Sequence, residues 1–188
     1  IRTPLNGIVG MINLSERYSN DTDKLYDCKE KVLTSLDYLL SLINDILDMN
    51  KVESGTLVLE NKPFNLIDIL NKIIAIVETN CEQHDIQFFG GKDMSKIIHR
   101  NFVGSGEYLN RLLMNIASNA IKYNREGGSV TLYCTELSSD DTHALYEFVC
   151  KDTGLGMSED FQKHAFEPFT CEGKPTTTGY NGTGLGLS

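Results

Sequence analysis

The chain has 188 residues and a mass of 21.0 kDa, enough for one to two domains and for a core that needs neither disulfides nor a metal. Hydrophobic residues make up 40% and charged residues 23%, a globular balance that excludes wholesale disorder. A formal net charge of −9 repels phosphate backbones, which argues against a non-specific nucleic-acid binder, and no apolar run approaches the roughly 20 residues of a membrane span.

In chain order, Leu5, Ile8, Val9 and Ile12 recur at helical spacing, and Pro4 is compatible with a first helical turn. Residues 18–22 read as a turn, with Asp21 or Thr22 capping a second helix that runs to about Val52. Leu25, Val32, Leu36, Leu39, Ile43 and Ile46 are spaced seven, four, three, four and three, a coiled-coil-like seam that Leu40 and Leu47 widen. Two helices cannot close a core alone. A second copy would complete a four-helix bundle, and the alternative cover is the chain's own remaining part; the dimer is the expectation taken here.

After Ser54-Gly55 the texture changes. Residues 56–60 alternate like a short strand that Pro63 stops, and 66–77 has helical spacing. Residues 86–89 and 97–102 read as strands. Gly104-Ser-Gly106 precedes a strong helix over about 107–123, ended by Asn124-Arg-Glu-Gly-Gly128. Residues 130–135 and 145–151 look like a hairpin pair, and 159–165 like a shorter helix. The pattern predicts an α+β chain: a helical hairpin over 1–54, then an α/β sandwich over 55–188 with helices on one sheet face.

The five cysteines contain no CxxC pair, and the four histidines show no HExxH or HxxxH spacing. Free thiols fit a reducing compartment, so a cytoplasmic location is expected. With no initiator Met and a glycine-rich last stretch, the chain reads as a segment of a longer protein.

Four stretches carry chemistry. Asn115, Asn119 and Lys122 lie at i, i+4 and i+7 on one helix face, offering amide oxygens to a hard cation and a point charge to phosphate. Taken alone, such residues also make an ordinary solvated face. Asp152-Thr-Gly154-Leu-Gly156 follows a β-rich run, where an Asp can accept a hydrogen bond from a base amino group and glycines let the backbone approach a ligand; the plain alternative is an Asp/Gly turn. Phe166-Glu-Pro168-Phe169 could clamp the base of a mobile segment or simply pack a loop. Gly179-Tyr-Asn-Gly182-Thr183-Gly184-Leu185-Gly186 frees backbone N–H groups to cradle phosphates, although a bare glycine cluster is usually a flexible loop. It is neither a Walker A loop nor a GxGxxG fingerprint.

Together and in this order, the four stretches resemble the N, G1, F and G2 boxes of the sensor histidine kinases, within the Bergerat-type ATPase superfamily. Ile1-Arg-Thr-Pro-Leu-Asn-Gly-Ile8 resembles the tail of that family's H box, commonly His-Glu-Ile-Arg-Thr-Pro-Leu. The Pro-Leu-Asn-Gly-Ile variant is similar to that of hybrid kinases carrying a receiver domain.

The resemblance implies a dimerisation and histidine-phosphotransfer hairpin followed by a catalytic ATP-binding domain. It implies ATP and Mg²⁺ as cofactors, a homodimer, and the receiver domain of a response regulator as partner, with no nucleic acid and no direct membrane contact. By matching positions, Asn119 would coordinate Mg²⁺ with Asn115 assisting near the phosphates, Lys122 would contact phosphate, and Tyr123 would line the pocket. Asp152 would hydrogen-bond the adenine amino group, with Gly154 and Gly156 shaping the pocket around it. Phe166 and Phe169 match the F box, and residues 170–180 the ATP lid. Gly182, Thr183, Gly184, Leu185 and Gly186 would lie beside the triphosphate. Thr3 would position water for dephosphorylation of the regulator, and joins Asn115 and Lys122 as the catalytic set.

The resemblance places the phospho-accepting His two positions before Ile1, and His84, His99, His143 and His164 match no such context. The segment as it stands is therefore expected not to autophosphorylate, and the domain is expected to continue past the G2 box. Two alternatives are an ATP-driven conformational machine of the same superfamily, against which the H-box tail and long seam helix argue, and a non-catalytic scaffold, against which intact N, G1 and G2 boxes argue.

Overall fold

The structure is a computed structural model that describes residues 2–19, 21–91, 94–173 and 184–187. The chain divides into two compact units, Ile1–Leu57 and Val58–Ser188.

The first unit is a hairpin of α1 (Arg2–Arg17) and α2 (Thr22–Glu53). Pro4 sits in the first turn of α1, where no helical N–H is needed. Asp21 caps α2, its carboxylate accepting the Lys24 N–H at 3.2 Å. At the other end Ser54 returns both its N–H and its hydroxyl to the Asn50 carbonyl.

The apolar residues of α2 form two interleaved stripes rather than one seam. Leu25, Cys28, Val32, Ser35, Leu39, Leu42 and Ile46, spaced three and four in turn, are buried or half-buried on the side that packs on α1. Opposite them lie Pro4, Ile8 and Met11. The helices come close at Gly7, where an added Cβ would stand 3.7 Å from Ser35 Oγ. The Ser35 hydroxyl is satisfied by the Lys31 carbonyl at 2.8 Å. The second stripe, Leu33, Leu36, Leu40, Ile43 and Leu47, is exposed, as are Leu5, Val9 and Ile12 of α1. Leu36 and Ile43 of the expected seam thus belong to the open stripe. The spacing hid this because Cys28 and Ser35, which complete the closed stripe, do not register as core residues.

The second unit runs β1 (Lys62–Asn65), α3 (Leu66–Gln83), β2 (Gln87–Gly90), a 3-10 turn (Met94–Lys96), β3 (Asn101–Gly104), α4 (Gly106–Lys122), β4 (Ser129–Ser139), β5 (Ala144–Asp152) and α5 (Glu159–His164). The strand expected at 56–60 is absent; these residues are irregular, with Val58 84% exposed. The strand instead contains Pro63, which lies opposite Val103 in an antiparallel β1–β3 ribbon. Both strands of a two-stranded ribbon have a free edge, so a missing N–H is tolerated. The strand expected at 97–102 begins only at Asn101, because the Ile98 and His99 N–H groups donate to the Glu136 carboxylate rather than to a partner strand.

The main sheet has the order β2-β4-β5. β2 runs parallel to β4, with Phe88 opposite Val130, and β5 runs antiparallel, with Asp152 also opposite Val130. A parallel pair requires a crossover, and α4 lies within it. α3 supplies Ile73, Val77 and Cys81, and α4 supplies Ala117, Ala120 and Ile121, to a core that also holds Ile86 and Val130. Leu66, Leu70, Ile97 and Cys134 form a second cluster.

At the far end of β4 a bulge follows Glu136, whose side chain is 5% exposed. Its carboxylate accepts the backbone N–H groups of Ile98 at 2.8 Å and His99 at 3.0 Å, and His99 Nδ1 at 2.7 Å. These donors, the His99 N–H foremost, pull its pKa down to about 2. An apolar cavity of about 60 Å³ lies between the helices and the sheet, lined by Leu70, Ile73, Leu113, Ile116, Leu132 and Phe148 among others. None of the candidate site residues lines it.

Candidate active site

α4 presents Ala117, Ala120 and Ile121 to the core and carries Asn115, Asn119 and Lys122, all half-buried, along another face. The helix ends at Tyr123, whose carbonyl accepts the Leu155 N–H at 3.0 Å. That bond draws the turn after β5 against the end of α4. The approach is possible only because residue 154 is glycine: a Cβ there would stand 2.4 Å from the Tyr123 carbonyl oxygen. Asp152, exposed at the end of β5, accepts the Gly154 N–H at 2.8 Å through Oδ1. A carboxylate offers about four acceptor sites, so capacity remains for an incoming donor. Gly156 has a left-handed φ of +63°.

Of the glycine-rich stretch, the described residues 184–187 approach α4 at Asn119. A Cβ on Gly186 would lie 3.8 Å from the Asn119 side-chain nitrogen, and Leu185 beside it is buried. The Phe169 N–H donates to the Gly184 carbonyl at 2.8 Å, with Phe169 held at φ +63°. Left-handed backbone is a strained state for an aromatic residue. Gly184 itself has φ +70° and no room for a side chain, since a Cβ would stand 2.4 Å from the Phe169 carbonyl carbon. Phe166 and Phe169 are exposed rather than packed as a loop core. Gly182 and Thr183 lie outside the described residues. Thr3 belongs to the first turn of α1, in the other unit, with its side chain outside the described part.

The Lys122 ammonium stands 5.2 Å from the centroid of the Tyr123 ring. Burial lowers its pKa, and the nearby Cys171 thiol raises it in part. Cys171 is a neighbour that the sequence could not reveal: nothing in its local pattern points to a residue 49 positions upstream. Asn124, buried directly behind Tyr123, was likewise visible only as part of a helix-ending run.

Comparison with known proteins bears on this arrangement. Residues 1–55 match the family model described as His Kinase A (phospho-acceptor) domain, and residues 104–188 that described as Histidine kinase-, DNA gyrase B-, and HSP90-like ATPase. The chain is 35% identical over 193 residues to the sensor protein GacS of Pseudomonas syringae pv. syringae, covering 100% of this chain and 20% of GacS. It is 32% identical over 190 residues to the autoinducer 2 sensor kinase/phosphatase LuxQ of Vibrio vulnificus, covering 100% of this chain and 22% of LuxQ. The chain thus spans about a fifth of the length of these relatives. Among solved structures, full-length ShkA in complex with AMPPNP superposes over 99% of this chain and 36% of its own, with a TM-score of 0.66 and 26% identity. The Acinetobacter baumannii histidine kinase AdeS shares the fold, with a TM-score of 0.64 and 18% identity over 99% of this chain and 81% of its own.

Residues 1–55 thus carry a phospho-acceptor-type helical hairpin of the His Kinase A kind, and residues 104–188 belong to the Histidine kinase-, DNA gyrase B-, and HSP90-like ATPases. The curated relatives that match along this chain are named sensor proteins and sensor kinases.

The residues present fit an adenine nucleotide. Asp152 keeps acceptor capacity for a base amino group and the half-buried Lys122 supplies a positive charge for phosphate, while at Gly154 and Gly184 a side chain would strike the chain's own backbone. Among the described residues no group of three or more His, Cys, Asp or Glu side chains could hold a metal by itself. The half-buried amides of Asn115 and Asn119 on one face of α4 are oxygen donors of the kind a hard cation such as Mg²⁺ takes. No helix among the described residues is long and apolar enough to cross a membrane.

Proposed function

We propose that this chain is the phosphotransfer core of a sensor histidine kinase, with a dimerising hairpin over 1–54 and a Mg-ATP-binding catalytic domain over 55–188. The juxtaposition that carries the reading is Gly186 against Asn119 and Gly154 against Tyr123, one helical turn apart at the end of α4. It brings the phosphate cradle and the base-reading carboxylate to the same helix end. The AMPPNP complex of ShkA supports the nucleotide assignment.

Asp152 accepts the adenine amino hydrogen, and Tyr123 lines the base pocket. Lys122 sets a point charge against the phosphates; its partial burial strengthens that interaction over its value in water. Asn115 and Asn119 orient the triphosphate from the same helix face, Asn119 through an amide oxygen on the metal. Gly182, Thr183, Gly184 and Leu185 hold the other side, with Phe169 at the base of the lid. Mg²⁺, which Asn119 would hold with Asn115 beside it, would supply charge neutralisation, which with positioning is most of what phosphoryl transfer needs from a protein. The acceptor is a histidine imidazole, and a receiver-domain aspartate of a response regulator takes the group next, on the cytoplasmic side. Thr3 aims water for the reverse, dephosphorylating step.

The exposed stripe of Leu33, Leu36, Leu40, Ile43 and Leu47 supports a homodimer, because a second hairpin would bury it.

Calorimetry tests the site. ATP with Mg²⁺ is expected to bind at least tenfold more tightly than GTP, whose base presents a carbonyl where adenine has its amino group. Equal affinities would remove Asp152 from base recognition. For transfer, the chain as it stands is expected to form no acid-labile phosphate, since its four histidines all lie in Val58–Ser188. A longer chain, preceded by His-Glu and extended through a complete catalytic domain, is expected to form it, and Asn119→Asp to abolish it. No labelling of the longer chain would end the kinase reading.

A further inference from the structure

Asn124 follows the last residue of α4 by two positions and is 4% exposed, with a polar side chain that needs partners. It has them. Nδ2 donates to the Ala120 carbonyl at 3.0 Å and to the Ser129 carbonyl at 3.0 Å, and Oδ1 accepts the Arg125 N–H at 3.0 Å. Ala120 lies in the last turns of α4, and Ser129 is the first residue of β4. Room for the amide is made at Gly128, where a Cβ would stand 2.2 Å from Asn124 Oδ1.

The bridge continues to the nucleotide site. The Ser129 carbonyl that accepts from Asn124 also accepts the Thr153 N–H at 3.1 Å, and the Ser129 N–H donates to Thr153 Oγ1 at 2.8 Å. Thr153 is covalently next to Asp152. A continuous path therefore runs from the α4 backbone through one buried amide to Ser129, Thr153 and the base-reading carboxylate. The Tyr123–Leu155 backbone bond is the parallel tie, and Asn124 is the side-chain link a substitution can cut.

We propose that Asn124 is a positioning residue that holds base recognition at Asp152 in register with the phosphate-binding face of α4. This deepens the proposed nucleotide site and rests on that reading. An ordinary helix-ending amide would stabilise the fold alike for every ligand. A residue that sets the relation between two halves of a site matters only to ligands that use both.

The test compares ATP with inorganic tripolyphosphate, each with Mg²⁺, by calorimetry on the full chain. Asn124→Ala is expected to weaken ATP binding at least tenfold and to leave tripolyphosphate within twofold, because the latter needs only the α4 face and the glycine cradle. Asn124→Ser is the second variant: its hydroxyl can satisfy the Ala120 carbonyl one turn back but cannot reach Ser129, so the link is cut while the helix end stays capped, and a loss for ATP equal to that of Asn124→Ala is expected. Leu66→Ala, in the second core cluster, which contains none of the residues on this path, should lower the melting temperature while leaving both affinities unchanged. Folded Asn124 variants with unaltered ATP affinity would overturn the inference, as would parallel losses for both ligands. Failure of both variants to fold would also overturn it, because the residue would then be structural. An unmodified chain that binds neither ligand would overturn the nucleotide site itself, a result distinct from the other three.

Discussion

The hairpin buries Ile8, Cys28 and Leu42 and leaves Leu33, Leu36, Leu40, Ile43 and Leu47 in water. The second unit gathers eight buried residues around Val77 and Val130 into one cluster and four more around Leu66 into another. One region thus carries its own core, and the other carries half of one. Stability of the second unit is intrinsic to the chain, whereas in the proposed homodimer that of the hairpin would be linked to the second copy that covers its open stripe and so to concentration.

The largest expected effect strikes the open stripe. Ile43→Glu would place an unpaired charge in the proposed dimer seam, at a cost of several kcal/mol. The dissociation constant should rise at least a hundredfold by light scattering, with ATP affinity per chain unchanged. A monomeric unmodified chain at high concentration would break the comparison outright. Next comes the intrinsic core: Ile73→Ala should cost about 2–5 kcal/mol of unfolding free energy in the second unit. Denaturant titration should show that loss at all protein concentrations, in contrast to the hairpin's concentration-dependent transition. Smaller again is Asp152→Asn, expected to weaken ATP binding by about 1.5–3 kcal/mol, the range of a hydrogen bond to a charged group. Calorimetry with undiminished affinity would remove the adenine role.

The smallest effect is a pH dependence confined to the second unit. Glu136 has its pKa held at about 2, below its ordinary 4.5, first by the His99 N–H and then by the His99 side chain. A depressed carboxylate adds stability that is complete above about pH 4.5 and is lost as pH falls toward 2. Glu136→Gln should flatten the melting temperature across that window. A slope unchanged by the substitution would assign the acid sensitivity to other carboxylates.

Much of the architecture was legible because local signals agreed. α2 begins at an Asp cap and α4 ends before Asn-Arg-Glu-Gly-Gly, both as the residues imply. What failed was pairing. Residues 56–60 have strand-like alternation but no partner strand, whereas Lys62–Asn65 has a partner and forms a strand despite Pro63. The split of one apolar seam into two stripes was equally hidden, since a periodicity does not say which neighbour a face meets. At the candidate site the order of motifs was readable, and so was the shared face of Asn115, Asn119 and Lys122. The contacts that assemble it were not: Gly186 with Asn119, Cys171 with Lys122, and Asn124 with Ser129 depend on a parallel crossover and on turns whose approach distances no spacing encodes.

The distribution of thiols has a practical side. Cys28, Cys81 and Cys134 are buried and Cys150 half-buried, and burial pushes the Cys81, Cys134 and Cys150 thiols up to about 11, so little reactive thiolate exists on them at neutral pH. Cys171 alone is exposed, and it neighbours Lys122. The chain thus carries one exposed thiol beside a lysine of the candidate nucleotide site. A maleimide fluorophore should attach there without any engineering of the chain, turning occupancy of the cleft into an optical signal read in real time.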